Sequence, residues 1–366
     1  MTQEELQSIC DAIPAADAGA MDLARRRQAQ LAKPPGSLGA LEEISIRLAG
    51  ITGWVHNQMD RCRVTVLAAD NGIVAEGVSS APQSVTLAQA INMTLHKTGM
   101  SVLAACFEND VQVVDVGIAA QYHCPAILDR RIRHGTESFL KAPAMTRQET
   151  LDAIAVGLSL AAQAKAEGYD AMGAGEMGIG NTTTSAAVLA ALTGAAVEQV
   201  TGRGGGVTDA AFAKKKQVIA RGLALHRPDP ADPVDVLSKV GGLDLAAMTG
   251  VFLGCARERL PAVVDGFISV VAALCAVRLC PRVRDVLFLS HISYEIGYSL
   301  AAKELALQPF LQLGMRLGEG SGCPLAFQIL KGACAVMNRM ATFQEAAIQD
   351  DYLEEIRKGD QFTVKT

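Results

Sequence analysis

The chain has 366 residues, of which 50% are apolar, 19% charged and 4% aromatic, with 33 basic against 38 acidic side chains and a formal net charge of −5. A chain so apolar can bury a sizeable core, in one large domain or two moderate ones, and is not a disordered segment. The acidic balance argues against a general nucleic-acid surface, and the scarce aromatics argue against base-stacking platforms.

In chain order, Ala18–Ala32 and Leu38–Leu48 carry apolar residues at helical spacing. Between them, Pro34 and Pro35 end the first helix, and Ser37 is expected to cap the second. β-rich runs follow at Arg63–Asp70, Val111–Gly117, Tyr169–Gly175, Pro261–Gly266 and Val286–His291. Helical patterns separate them at Val85–Phe107, Arg147–Glu167, Thr183–Leu192, Asp209–Leu225 and Ser269–Leu279. This alternation predicts an α/β fold with a three-layer, Rossmann-like parallel sheet. Each β run ends in polar or glycine residues: Asp70-Asn71-Gly72, Asp115 to Gly117, Gly175-Glu176, Asp265-Gly266 and Ser290-His291. In an open parallel sheet these ends share one rim, so a single polar site above the sheet is expected. The tail Leu305–Tyr352 reads as helical, broken at Gly318–Gly322. Helices at both ends suggest a small helical domain from residues 1–60 and 305–366 around a sheet domain at 61–304.

Nine cysteines, an odd number without a Cys-x-x-Cys pair, lie mostly in apolar runs and read as buried free thiols. The first residues lack a secretory pattern, and the longest apolar run, Val263–Cys280, is interrupted by Asp265 and Arg278. A cytoplasmic protein without a membrane span is expected.

Gly173-Ala-Gly175-Glu176-Met177-Gly178 matches G-x-G-x-x-G, with Glu198 at the spacing of a ribose-binding acid. Dinucleotide binding, and with it an NAD-dependent dehydrogenase, is a remote alternative. The motif falls in the third βα unit rather than the first, and 179–184 separate it from the expected helix. Backbone N–H groups of this loop suit a single phosphate instead. Gly202–Gly206 is either a mobile connection or a second phosphate cradle, and of Lys214, Lys215 and Lys216 at most one is expected to act. In Gly318-Glu319-Gly320-Ser321-Gly322, small neighbours let a substrate approach the carboxylate. In a dry pocket such a carboxylate is raised toward a working general base; the plain alternative is a surface turn. The six histidines show no ligand spacing, so no metal site is expected, and His291 either lines the rim or is structural.

Several segments together carry a resemblance: Lys33–Gly39, Ala69–Ile73 with Glu76–Val78 and Pro82, Gly175–Thr183, Asp235–Gly242, Asp244, Met248–Gly250, Asp265–Phe267, Ser290–Ser293 and Arg316–Gly322. In order, from about residue 10 to 340, the chain resembles the nicotinate-nucleotide:dimethylbenzimidazole phosphoribosyltransferases of cobamide lower-ligand assembly. The resemblance implies transfer of 5-phosphoribose from nicotinate mononucleotide to an azole nitrogen, giving an α-ribazole 5′-phosphate and nicotinate, without a cofactor. It implies a homodimer, and the same two-part layout. It places the general base on Glu319, a second site glutamate on Glu176, the active-site lysine on Lys215 and the base-pocket glutamine on Gln89. Ala81 stands where some members carry serine, and Asn71 where the family usually has histidine. The remaining expected substrate contacts are Met177, Gly178, Gly180, Asn181, Thr182, Gly204, Ser293, Gly320 and Asp70. Some relatives glycosylate phenol or p-cresol instead, some of them as heteromers, and a catalytically silent relative is a further alternative. Which glycine loop holds the phosphate stays open.

Overall fold

The structure, a computed structural model, describes residues 1–353. The chain opens with three helices, α1 (Gln3–Ala12), α2 (Ala18–Gln30) and α3 (Ala40–Thr52), before strand β1 (Cys62–Ala69). Helices α4 (Ser84–Thr94) and α5 (Gly99–Cys106) lead to β2 (Asp110–Gly117) and the short β3 (Ile127–Asp129). Helix α6 (Arg147–Ala166) precedes β4 (Ala171–Met177), followed by α7 (Asn181–Thr193), α8 (Val197–Val200), α9 (Asp209–His226), α10 (Pro233–Val240) and α11 (Leu243–Arg257). Then come β5 (Ala262–Val264), α12 (Phe267–Leu279), β6 (Leu287–Leu289), α13 (Tyr298–Leu305) and α14 (Gly322–Arg339).

All six strands are parallel, in the order β3-β2-β1-β4-β5-β6. The direction of growth reverses between β1 and β4, where Leu67 pairs with Glu176. That crevice is where open α/β sheets bind ligands. Strand β1 is buried along its whole length, as both-sided helix cover requires. On one face α6 and α11 cross at backbone contact: a Cβ on Gly157 would lie 2.0 Å from the Ala247 carbonyl oxygen, and one on Gly250 2.0 Å from that of Ile154.

Several elements depart from the sequence expectation. The pattern over Val85–Phe107 is two helices, not one. The chain turns at His96, in the left-handed region, and Thr98 with Ser101 forms a capping box that starts α5. Ser37 does not cap α3. That helix begins at Ala40 after Gly39, with no side-chain cap, and the turn is held by a buried Lys33–Glu42 ion pair at 2.7 Å. Residues 306–321 are not helical; there, the Ile292 N–H donates to the Leu311 carbonyl and the Tyr294 N–H to that of Met315. The segment 354–366 of the expected helical domain lies outside the described residues. Among the described residues, no helix is long and apolar enough to cross a membrane.

Candidate active site

A cavity of about 240 Å³ lies beyond the carboxyl ends of β4 and β5. Glu319, Glu176, Lys215, Gln89, Ala81, Met177, Gly178, Gly180, Asn181, Thr182, Gly204 and Ser293 all line it. Two expected residues do not. Gly320 sits behind the wall, its N–H donating to Asp265 Oδ2 at 3.1 Å. Asp70 is buried, and its Oδ2 accepts the Ala119 N–H at 2.9 Å, so the carboxylate fastens the loop after β2.

The expectation that all five strand ends build one site is corrected in the same way. Only the ends of β4 and β5 reach the cavity. Asp115 is paired with Arg131 at 2.6 Å and accepts the Tyr122 hydroxyl at 2.8 Å. His291 is buried, bonded to Ser290 Oγ at 2.9 Å, and is structural rather than part of the rim. A buried rim polar group must find a partner, and most of these find one within the loops they anchor.

The glycine motif of β4 also has a physical explanation. Gly173 and Gly175 lie inside the strand, not in a phosphate turn. A Cβ on Gly173 would lie 2.7 Å from Cys323 Sγ, and one on Gly175 2.4 Å from the Glu319 carbonyl oxygen. These glycines admit the start of α14 and the loop that carries Glu319. Helix α7 opens at Asn181, sooner after Gly178 than the pattern suggested, on Gly180 in the left-handed region.

Glu319 adopts φ +64° between Gly318 at +83° and Gly320 at +88°. Three left-handed residues in a row are strained for any non-glycine side chain, so the surroundings must hold the turn. Asp265 does so: its Oδ1 accepts the Gly322 N–H at 2.6 Å and its Oδ2 that of Gly320. The Glu319 N–H donates to Glu176 Oε1 at 3.1 Å, and Glu319 Oε2 accepts the Met100 N–H at 3.2 Å. Gly318 has no room for a Cβ, which would lie 2.4 Å from Glu176 Oε1. The two glutamates are thereby locked together at one wall.

Burial pushes the Glu176 carboxyl up to about 8, aided by the charges of Asp244 and Asp265 and opposed by its bonds from Asn181 and the Glu319 N–H. Lys215, 1% exposed on α9, is pulled down to about 8 by burial, with Glu295 opposing. Its ammonium donates to Thr182 Oγ1 at 2.8 Å and to the Gly202 carbonyl at 3.1 Å. A Cβ on Gly204 would lie 2.7 Å from Thr182 Oγ1. The two glycine loops therefore meet at Lys215, and both border the same corner of the cavity.

The walls also include Arg316, Arg203, Glu295 and Ile268, to which the sequence reading gave no individual role. Arg316 Nη1 donates to the Gly204 carbonyl at 3.3 Å; its signal was its place three residues before Glu319. Glu295 and Ile268 had none.

A family model described as phosphoribosyltransferase matches residues 13–348. The chain belongs to this phosphoribosyltransferase family. The nicotinate-nucleotide–dimethylbenzimidazole phosphoribosyltransferase of Clostridium perfringens is 51% identical over 341 residues, 93% of this chain and 94% of that one. The enzyme of the same name from Geobacter sulfurreducens is 45% identical over 95% of this chain and 99% of its own length. The crystal structure of the Thermus thermophilus enzyme of that name is similar at a TM-score of 0.86 and 41% identity, covering 91% of this chain and 99% of that chain. Membership of the phosphoribosyltransferase family sets aside the dehydrogenase reading, and the likeness to that crystal structure agrees with the α/β fold.

Proposed function

We propose that this phosphoribosyltransferase moves 5-phosphoribose from nicotinate mononucleotide to 5,6-dimethylbenzimidazole or a similar base, with Glu319 as general base. The observation that carries the residue roles is the pairing of two buried glutamates on one wall, with a buried lysine where two glycine loops meet. The leaving nicotinate is a pyridinium and departs as a neutral ring nitrogen, without a proton. The acceptor is a neutral azole: one nitrogen attacks C1 of the ribose while the other loses its proton to Glu319. Attack on the face opposite nicotinate inverts the anomeric centre from β to α. Positive charge develops on the ribose ring, and an ionised Glu176 stabilises it. Lys215, with the backbone of 178–182 and 202–206, holds the 5′-phosphate; the convergence of both loops supports a shared cradle.

The domain division is proposed with it. A separate core cluster of Ala20, Ala24, Ile46, Ala49 and Met337 joins both ends of the chain and supports a helical unit, although a larger cluster runs on into the sheet. A dimer, with a second copy or a paralogue, is supported by exposed Ile292, Tyr294, Ile296, Leu313 and Leu317 on two adjoining segments beside the cavity. Nine free thiols support a cytoplasmic setting.

Glu319→Gln keeps shape and removes the base. Its kcat is expected to fall about 10²–10⁴-fold, the usual worth of acid–base catalysis, with nicotinate mononucleotide binding little changed. A variant that turns over at the wild-type rate overturns the assignment.

A further inference from the structure

Beneath the cavity floor lies a second buried carboxylate that the reaction scheme does not use. Asp244, in the first turn of α11, is fully buried and makes no ion pair among the described residues. Burying a carboxylate without a cation is unfavourable unless its hydrogen bonds are made elsewhere. Asp244 Oδ1 accepts the Leu245 N–H at 2.9 Å, and Oδ2 accepts the Asn181 side-chain amide at 3.1 Å. The same Asn181 nitrogen donates its other hydrogen to Glu176 Oε2. Both amide hydrogens are taken, so Asn181 cannot turn without losing both carboxylates. The backbone leaves space for this arrangement: a Cβ on Gly178 would lie 2.6 Å from Asp244 Oδ2, and one on Gly242 2.4 Å from Oδ1. Asn71, also fully buried, lies against Asp244 outside good hydrogen-bond geometry, with neither amide atom partnered.

We propose that Asp244 is a positioning residue for the transfer: it fixes the Asn181 amide, which aims the Glu176 carboxyl at the ribose and couples its charge to the arrival of the positively charged ring nitrogen of the nucleotide. A continuous chain runs from the first turn of α11 through Asn181 and Glu176 to the backbone of Glu319. Charged groups face Glu176 from three directions: Asp244 on α11, Asp265 at the end of β5, and Glu319 before α14. The cavity's buried cation, Lys215, is contributed by α9 and bonds to the glycine-loop corner. Burial, with the charges of Asp244 and Asp265 adding to it, keeps Glu176 protonated in the free enzyme. A pyridinium in the cavity reverses that balance, so binding releases the proton. Without the Asp244 charge, Glu176 ionises at lower pH.

The proposal rests on Glu176 as the group that meets the ribose. The test compares wild type, Asp244→Asn, Asp244→Ala and Glu176→Gln. It reads the pH profile of kcat/KM for nicotinate mononucleotide, and proton release on nucleotide binding by calorimetry in two buffers of different ionisation enthalpy. In Asp244→Asn the amide oxygen can keep the Asn181 bond by giving up that of Leu245. Its acid limb should move about one unit lower, and proton release at pH 7 should fall. Asp244→Ala frees Asn181 and should lose more than about tenfold in kcat with a smaller change in KM. If the alanine variant does not fold, the isosteric asparagine variant decides alone. An Asp244→Asn limb and proton count that coincide with wild type overturn the proposal, whatever happens to the rate. A limb that stays at its wild-type position in Glu176→Gln overturns the role of Glu176, and the proposal with it.

Discussion

Glu176 holds its proton to about pH 8 because burial outweighs the two N–H groups that favour its charge. The unfolded chain gives that proton up near 4.5. As pH rises through this window the unfolded state loses a proton that the folded state keeps, so the contribution of Glu176 to stability is present below about 4.5 and lost by about 8. Glu176→Gln has no such proton. The stability of that variant relative to wild type should therefore increase between pH 5 and pH 8, by a few kcal/mol at about 1.4 kcal/mol per unit. Urea denaturation of both proteins at the two pH values measures it, and a constant difference contradicts the buried, protonated carboxyl. At this scale Glu319 was legible in the sequence, because glycines on both sides of a carboxylate are a local pattern. Asp244 appeared only as one residue within the resemblance, and its role depends on Asn181, 63 positions away. Asp70 and Asp115 looked the same as Glu176 from sequence. What separates them is whether a nearby N–H or guanidinium takes up the carboxylate, and that is a matter of tertiary contact.

The elements were legible where one face is apolar or the run is continuously β-branched, as in β1, β2, α6 and α9. They were not where burial is all-round or the break is a capping event. Helix α11 is buried over almost its whole length, so no amphipathic period marks it. The α4–α5 break depends on Thr98 and Ser101, which read equally well as polar positions on one long helix. Strand β4 was recognised, but its glycines were not understood, because what they face is the loop before α14. That contact gives an element-scale prediction. Gly175→Ala places a methyl 2.4 Å from the Glu319 carbonyl oxygen and must displace the Glu319 turn. Its kcat should fall more than about tenfold, because small displacements of a catalytic group are expensive in rate. Gly332→Ala, inside α14 and outside the cavity lining, where a Cβ meets nothing within 4 Å, serves as the control and should stay within about twofold of wild type. Equal activity of the two alanine variants would show that β4 does not set the position of Glu319.

Across the whole molecule, residues from Val78 to Glu319 converge on one cavity beyond the ends of β4 and β5, next to the crevice where sheet growth reverses. The alternation of strands and helices was enough to place a site on that rim, but not to say which segments would reach it. The proposed reaction puts its acceptor against one side of this cavity. Val78, Val85, Met177, Phe267 and Ile268 supply an apolar lining for a flat base, and Gln89 is a polar group among them, its Oε1 accepting the Asn92 amide at 3.0 Å. Ala81 in the same wall is small and cannot hydrogen-bond through its side chain. A lining with so few polar groups selects mainly by shape, so phenol and p-cresol should be accepted alongside dimethylbenzimidazole, with lower kcat/KM. Gln89→Ala should reduce kcat/KM for dimethylbenzimidazole by up to about tenfold, the range of one hydrogen bond. A phenol ionises near pH 10. Its proton must leave as the new bond forms, so Glu319→Gln should abolish transfer to phenols as fully as to the azole. The measurement is kcat/KM for the three acceptors in wild type, Gln89→Ala and Glu319→Gln. If dimethylbenzimidazole alone reacts and Gln89→Ala changes nothing, the acceptor does not lie against this wall. If phenol transfer survives in Glu319→Gln, another group removes the proton.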